Sequence, residues 1–304
     1  MKITFKQQAE KFLTEGATRK RHPLSAATLR AYRSDINANL NPLIGDKTLQ
    51  AIDGKVVKSV IAELAAQGLR PRTIQRIFNV LKGVRESVVS DNGEIVFKCD
   101  WSADFLDLPA IDDAKQPTVS AQAVQDAISK ADMTRKALYT ILASTGLRIA
   151  EALALKVGTD DGVSTIWIPS ESKIIVRQQK TRVGLAATKT KAGVREIDLD
   201  PKVNEFLSQV FAGSPVGYEL FSGSPDYLRE VLATHGIEGG FHAFRRFRIT
   251  HLKLQGVPDA LIKFWVGHEA GDITEVYTQV GGEIQSRKEW AARAGLGFQL
   301  PEIV

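Results

Sequence analysis

A chain of 304 residues with 43% apolar and 25% charged residues holds enough apolar material for two compact domains, which excludes a disordered polymer. It has no run of about 18 apolar residues to cross a bilayer and no signal-peptide stretch at its start, so the expectation is a cytoplasmic protein. The one cysteine, Cys99, excludes an internal disulfide and lies far in sequence from the five histidines, while a net charge of +5 leaves polyanion binding open without establishing it.

From residue 5 to about residue 90 apolar residues recur at helical spacing, as in Leu29, Tyr32, Ile36 and Leu40 and again in Val56, Val60, Ile61 and Leu64. This predicts a small unit of four or five helices. Ser25 stands where an N-cap would precede the second helix, residues 42–45 interrupt it, and Ile52 and Asp53 open the third. Pro71 suits the first turn of a fourth helix, with Ile74, Ile77, Phe78 and Leu81 as its inner stripe. Arg19, Lys20, Arg21, Arg30, Arg33, Arg70, Arg72, Arg76, Lys82 and Arg85 crowd this unit, whereas residues 91–113 are acidic. A nucleic-acid footprint and solvated helix faces are both open readings of that cluster.

Residues 91–117 show no sustained period and carry Asn92-Gly93, Pro109 and Pro117, which reads as a connector. Phe97, Trp101, Phe105 and Leu108 are nonetheless apolar enough to pack as a strap against either neighbour. After Ser120, a candidate N-cap, helical patterns run over 121–131 and 135–144. The period then shortens. Residues 163–169, 174–178 and 194–199 are β-branched and alternate, with a turn over 189–193 between the last two, which predicts a small antiparallel sheet. Helices return over 202–211, 227–234, 242–254, 259–266 and about 283–294. The expected fold is mainly α: an all-helical domain over residues 1–90, a connector over 91–117, a mostly helical α+β domain over 118–281 and a tail over 282–304.

Within the second domain, His242-Ala243-Phe244-Arg245 places an imidazole and a guanidinium three residues apart, on one helix face. Val266-Gly267-His268 follows, with a glycine suited to a helix end, and Tyr277 stands nine residues beyond His268. Far upstream, Thr145-Gly146-Leu147-Arg148 is followed by Glu151; Gly146 can end one helix and place Arg148 at the start of the next. Two arginines and two histidines without a magnesium-type acidic cluster describe a phosphate site. Arginine offers a planar fork to two non-bridging oxygens and keeps its charge when desolvated. Fixed donors aimed where charge gathers can then act in place of a metal ion.

The ordered set Thr145-Gly146-Leu147-Arg148…Glu151, Thr188-Lys189-Thr190, His242-x-x-Arg245, Gly267-His268 and Tyr277 resembles the tyrosine recombinase family of phage integrases and chromosome-dimer resolvases. The helical N-terminal unit, with Ala27-Leu29-Tyr32, Leu43-Ile44-Gly45-Asp46 and Arg72-Thr73-Ile74, is similar to that family's core-binding domain. The resemblance implies the DNA breaking-rejoining fold and strand exchange without cofactor or metal. By it, Arg148 and Arg245 clamp the scissile phosphate and Tyr277 attacks it to give a 3′-phosphotyrosine; a covalent route conserves bond energy and needs no ATP. A phenol with a pKa of about 10 needs a base, and His242 is assigned to it; His268 is assigned a hydrogen bond to the phosphate. The family's general acid is a lysine on a β-turn, here Lys189 with Lys191 as the alternative, and Glu151 has a supporting role.

Arg72, Gln75 and Arg76 on the fourth helix, with Arg246 and Arg248 beside the catalytic pair, are the expected contacts to duplex DNA. The basic segment 171–191 is expected to be mobile without DNA. Residues 283–304, with Trp290, Leu296, Phe298 and Leu300, resemble the tail that family members insert into a neighbouring subunit, which implies a homo-tetramer on two DNA sites and allows a monomer when free. An architectural DNA-binding module without chemistry and a type IB topoisomerase are the rival readings.

Overall fold

The structure is a computed structural model that describes residues 3–21, 23–111, 118–188, 191–268 and 280–303. It divides into two compact units, Met1–Ala114 and Lys115–Val304.

In the first unit, α1 (Phe5–Thr18) begins at a reciprocal cap: the Gln7 N–H donates to Thr4 Oγ1 at 3.3 Å and the Thr4 N–H to Gln7 Oε1 at 3.0 Å. Ser25 caps α2 (Ala26–Asp35) by accepting the Thr28 N–H at 3.1 Å. The expected break at residues 42–45 falls later. A wide π turn over Ile36–Leu40 leads into α3 (Asn41–Ile44), so the chain stays helical through Pro42, which has no N–H to give an ordinary helical ladder. Asp53 caps α4 (Gly54–Ala66), and Pro71 opens α5 (Pro71–Glu86). Ile36, Leu40, Val57, Ile74, Ile77, Leu81 and Val84 are buried between these helices. Each such side chain contributes roughly 1.5–3 kcal/mol on burial.

The strap packs on this unit: Leu106 of the short α6 (Ala103–Leu106) is in its core, and Trp101, Phe97 and Leu108 pack against that core. Arg85 is therefore no surface cation. It is 5% exposed, with its guanidinium 4.8 Å from the Trp101 ring centroid.

The second unit opens with α7 (Ala121–Lys130), capped by Ser120, and α8 (Met133–Thr145), whose residues from Ala137 onward are all buried. A short α9 (Ile149–Ala152) follows. The strands are β1 (Leu155–Val157), β2 (Thr165–Ile168), β3 (Lys173–Val176), β4 (Gln178–Thr181), β5 (Gly184–Ala187) and β6 (Arg195–Asp198). β2, β3 and β6 form the antiparallel core, in register at Ile166↔Ile175 and Ile174↔Ile197, and β1 adds a parallel edge.

β4 and β5 make a separate hairpin inside the basic segment expected to be mobile. Alternation could not announce it, because β4 is half-buried throughout and β5 mostly exposed. Three of its cations are paired: Arg177 with Asp160, Lys180 with Glu219 and Arg182 with Asp226. Helices α10 (Pro201–Val210), α11 (Pro225–Thr234), α12 (His242–Leu254), α13 (Asp259–Val266) and α14 (Ile284–Ala294) complete the unit.

The C-terminal segment folds back on its own unit. Ala291, Ala294 and Leu296 are in the core, and Trp290, Phe298 and Leu300 pack against it. Arg287, 2% exposed, reaches Asp198 at 2.9 Å and Glu196 at 2.7 Å on β6. Among the described residues no helix is long and apolar enough to cross a membrane.

Candidate active site

α8 ends at Gly146, whose φ of 70° is left-handed. Thr145 Oγ1 accepts the Leu147 N–H at 3.2 Å and so guides the turn out of the helix. Arg148 then sits at the N-cap of α9, and Glu151, three residues on, reaches back to it. Glu151 Oε2 accepts the Arg148 backbone N–H at 2.9 Å, and Oε1 accepts its guanidinium at 2.8 Å. The carboxylate is buried at 2% exposure, while the Arg148 side chain keeps 37% of its surface open.

A second arginine holds the same carboxylate from behind. Arg195 on β6 donates through Nη2 to Glu151 Oε2 at 2.9 Å and through Nη1 to Oε1 at 3.2 Å. Its Nε donates to the Trp265 carbonyl at 2.7 Å, and Nη1 also to that of Gly193 at 3.0 Å. No role for Arg195 was legible beforehand. The available signal was a cation at the inward position of a strand, two residues before Ile197, where alternation calls for an apolar side chain.

Arg245 on α12 is 5% exposed and binds two helix ends at once, donating to the Gly146 carbonyl at 2.9 Å and the Val266 carbonyl at 2.5 Å. Those carbonyls lie at the negative ends of α8 and α13, where a cation is favoured. The bond to Val266 also fixes the turn that follows: Gly267 has φ 66°, and a Cβ there would lie 2.9 Å from the Ala192 carbonyl oxygen. Only glycine fits that approach. His268, one residue on, is exposed, as is His242 at the start of α12.

The electrostatics follow from this crowding. Burial pulls Arg245 down to about 10 from its ordinary 12.5, and the Arg148 and Arg195 charges add to the effect. It still remains charged near neutral pH. His242 and His268 keep part of their surface open to solvent, yet both are held below the ordinary 6.5, first by desolvation of the part that packs on the protein and then by the Arg245 and Arg148 charges. Burial pushes Glu151 up, but its bonds to Arg195 and Arg148 outweigh that and hold it below 4.5. Two guanidinia, of Arg148 and Arg195, therefore share the Glu151 carboxylate while that of Arg245 is spent on carbonyls nearby, an arrangement left short of negative charge and suited to a dianionic or developing-charge ligand.

The structure thus brings Arg148, Glu151, His242, Arg245 and His268 into one electrostatic neighbourhood, with Arg195 beneath them. Lys189 and Tyr277 lie outside the described residues. Lys191 opens the 3-10 turn Lys191–Gly193, with its side chain likewise outside the description. Arg246 is half-buried next to the site.

Arg248 corrects an expectation. It is 4% exposed, and its Nη1 donates to the Gly295 carbonyl at 2.6 Å, so it ties α12 to the C-terminal segment and has no face to offer DNA. Arg72, Gln75 and Arg76 lie on the first turns of α5, in the other unit. Arg76 spans from that surface to the buried Asp35, which it meets at 2.9 Å. Among the described residues no group of three or more His, Cys, Asp or Glu side chains gathers as a metal site.

Compared with known proteins, residues 118–283 match the family model described as phage integrase family, and residues 19–86 the one described as phage integrase, N-terminal SAM-like domain. The chain is 26% identical over 289 residues to tyrosine recombinase XerC of Alcanivorax borkumensis, covering 90% of this chain and 89% of that protein. It is 25% identical over 288 residues to tyrosine recombinase XerD of Corynebacterium glutamicum, covering 88% and 91%. Among solved structures, the Tn1549 transposon integrase in complex with transposon right end DNA is alike in fold, with a TM-score of 0.69 at 18% identity over 96% of this chain and 98% of that one.

Proposed function

The chain belongs to the phage integrase family and is a tyrosine recombinase, and on that premise we propose that it cuts and rejoins DNA strands through a 3′-phosphotyrosyl intermediate on Tyr277. The pairing of Arg148 and Arg195 with the single carboxylate of Glu151, with the Arg245 charge close enough to act on them, carries this assignment, because the surplus positive charge has a phosphodiester as its natural complement. Arg148 and Arg245 hold the non-bridging oxygens. His242, neutral near pH 7 because its pKa is depressed, accepts the phenol proton as Tyr277 Oη bonds to phosphorus. His268 donates a hydrogen bond to the phosphate. The bond from phosphorus to the 5′ oxygen breaks, and Lys189, or Lys191 in its place, protonates the leaving oxygen. A 5′ hydroxyl from the partner strand reverses these steps, so the phosphodiester energy is kept and no nucleotide is consumed.

The partner is duplex DNA. Arg72, Gln75, Arg76 and Arg246 meet its backbone and base edges, and binding weakens as salt rises because phosphate contacts release counterions. A homo-tetramer on two DNA sites is the active form.

A nicked duplex carrying the target sequence, found by selecting bound sites from a random pool, provides the test. Wild-type protein is expected to form a detergent-resistant DNA adduct, and Tyr277→Phe to bind the same duplex and form none. Wild-type protein that is bound to the duplex yet yields no adduct overturns the proposal.

A further inference from the structure

The side chain of Arg195 is 1% exposed, and none of the catalytic steps above assigns it a part. It nonetheless touches three segments beside the site. Its two terminal nitrogens grip the two Glu151 oxygens at 3.2 and 2.9 Å, a fork-on-fork pairing that fixes the plane of the carboxylate. The same two oxygens receive the backbone N–H and guanidinium of Arg148. Its remaining bonds go to the carbonyls of Gly193, where the turn Lys191–Gly193 ends, and Trp265, two residues before Gly267. The stem of Arg195 also runs so close to Gly267 that a Cβ there would lie 2.9 Å from its Cδ.

We propose that Arg195 is a positioning residue for strand cleavage: it sets Glu151 so that Glu151 sets Arg148, and it locks the lysine-bearing turn to the segment carrying His268. This rests on the recombinase reading given above. A purely structural buried ion pair would account for the burial, but it needs only one partner. Arg195 bonds at once to the carboxylate that orients a phosphate-binding arginine and to the backbone of two further site segments. Lysine cannot reproduce this, because a point charge lacks the planar fork that spans both carboxylate oxygens.

The experiment uses the whole 304-residue chain and the nicked duplex carrying the selected target sequence. It compares wild type, Arg195→Gln, Arg195→Lys, Glu151→Gln and the double variant Arg195→Gln/Glu151→Gln. Melting curves identify the folded variants, DNA affinity is measured separately, and adduct formation is timed with every molecule of duplex bound. Displacing Arg148 and the two site segments is expected to slow adduct formation about ten- to hundred-fold while DNA affinity stays within about three-fold.

Arg195→Lys is expected to recover part of the rate. The double variant is expected to be no slower than the slower single, because both changes break one relay. If Arg195→Gln does not fold, Arg195→Lys and Glu151→Gln read the same link from its two ends. Folded variants that form adduct at the wild-type rate, or single effects that multiply in the double variant, overturn the proposal and leave the recombinase reading intact. A wild-type protein that binds the duplex and forms no adduct removes both.

Discussion

Arg245 and Arg248 stand one turn apart on α12 and are both buried, each donating to backbone carbonyls at the end of another helix. Only the first is placed at the site. Arg248→Met keeps the length of the side chain and removes its hydrogen bond to the Gly295 carbonyl, which is expected to cost about 1–3 kcal/mol of stability. Its DNA affinity should equal that of wild type. Arg246→Ala, by contrast, is expected to weaken DNA binding on every sequence and lower the salt slope by about one. Affinity titrations over a range of salt, beside melting curves, check both; an Arg248→Met protein of unchanged stability that binds DNA poorly would restore it as a DNA contact.

Four histidines, His235, His242, His251 and His268, have folded-state values depressed below 6.5, burial being the largest cause in each. Below 6.5 the unfolded chain then takes up more protons than the folded one, so stability falls as pH falls. Glu151, held below 4.5, adds a contribution present above that value and lost as pH drops through its folded value. The melting temperature is therefore expected to decline from about pH 7 to about pH 5 and further below. A flat or rising profile over that range would show that these imidazoles titrate normally.

At the scale of elements, the site is made where helices stop. α8 and α13 both end in glycines of left-handed φ, Gly146 and Gly267, and Arg148 and His268 follow within two residues. Gly267→Ala places a Cβ 2.9 Å from the Ala192 carbonyl oxygen as well as forcing the backbone. Gly162→Ala has a similar φ, 76°, with nothing near it. Both should lose about 1–2 kcal/mol from the strained backbone. Gly267→Ala should lose more, and its adduct formation should slow, because the Ala192 turn and His268 must separate. Equal stability losses and equal cleavage rates in the two variants would contradict that close approach.

Across the whole molecule, each unit has a core of its own, with the strap belonging to the first. A fragment of residues 1–111 is expected to melt cooperatively by itself, as checked by circular dichroism. Ending the chain at residue 282 removes Ala291, Ala294 and Leu296 from the second core and leaves Asp198 and Glu196 without Arg287. Loss of one partner from a buried ion pair costs about 3–5 kcal/mol, so denaturant titration should show at least that loss. A truncated chain of wild-type stability would mean that the C-terminal segment contributes nothing to its own unit.

The division between what was legible in the chain and what was not follows the range of the forces involved. Helix starts were readable because the capping groups are neighbours in sequence: Ser25, Asp53, Pro71 and Ser120 each act within three residues of themselves. The ordered motifs were readable because residue type alone states what chemistry an imidazole or guanidinium can do. Burial of Arg248, the hub made by Arg195, the pairing of the basic hairpin and the return of the C-terminal segment were not readable. Their partners lie tens of residues away, 47 for Arg248 and Gly295 and 44 for Arg195 and Glu151, and only the packed chain brings them within hydrogen-bond reach. By itself the sequence determined the longer helices, the family and the chemistry its residues can carry; the tertiary structure decided which cations face outward and which are spent inside on carbonyls and carboxylates, because burying a charge is tolerable only where distant chain supplies its partner.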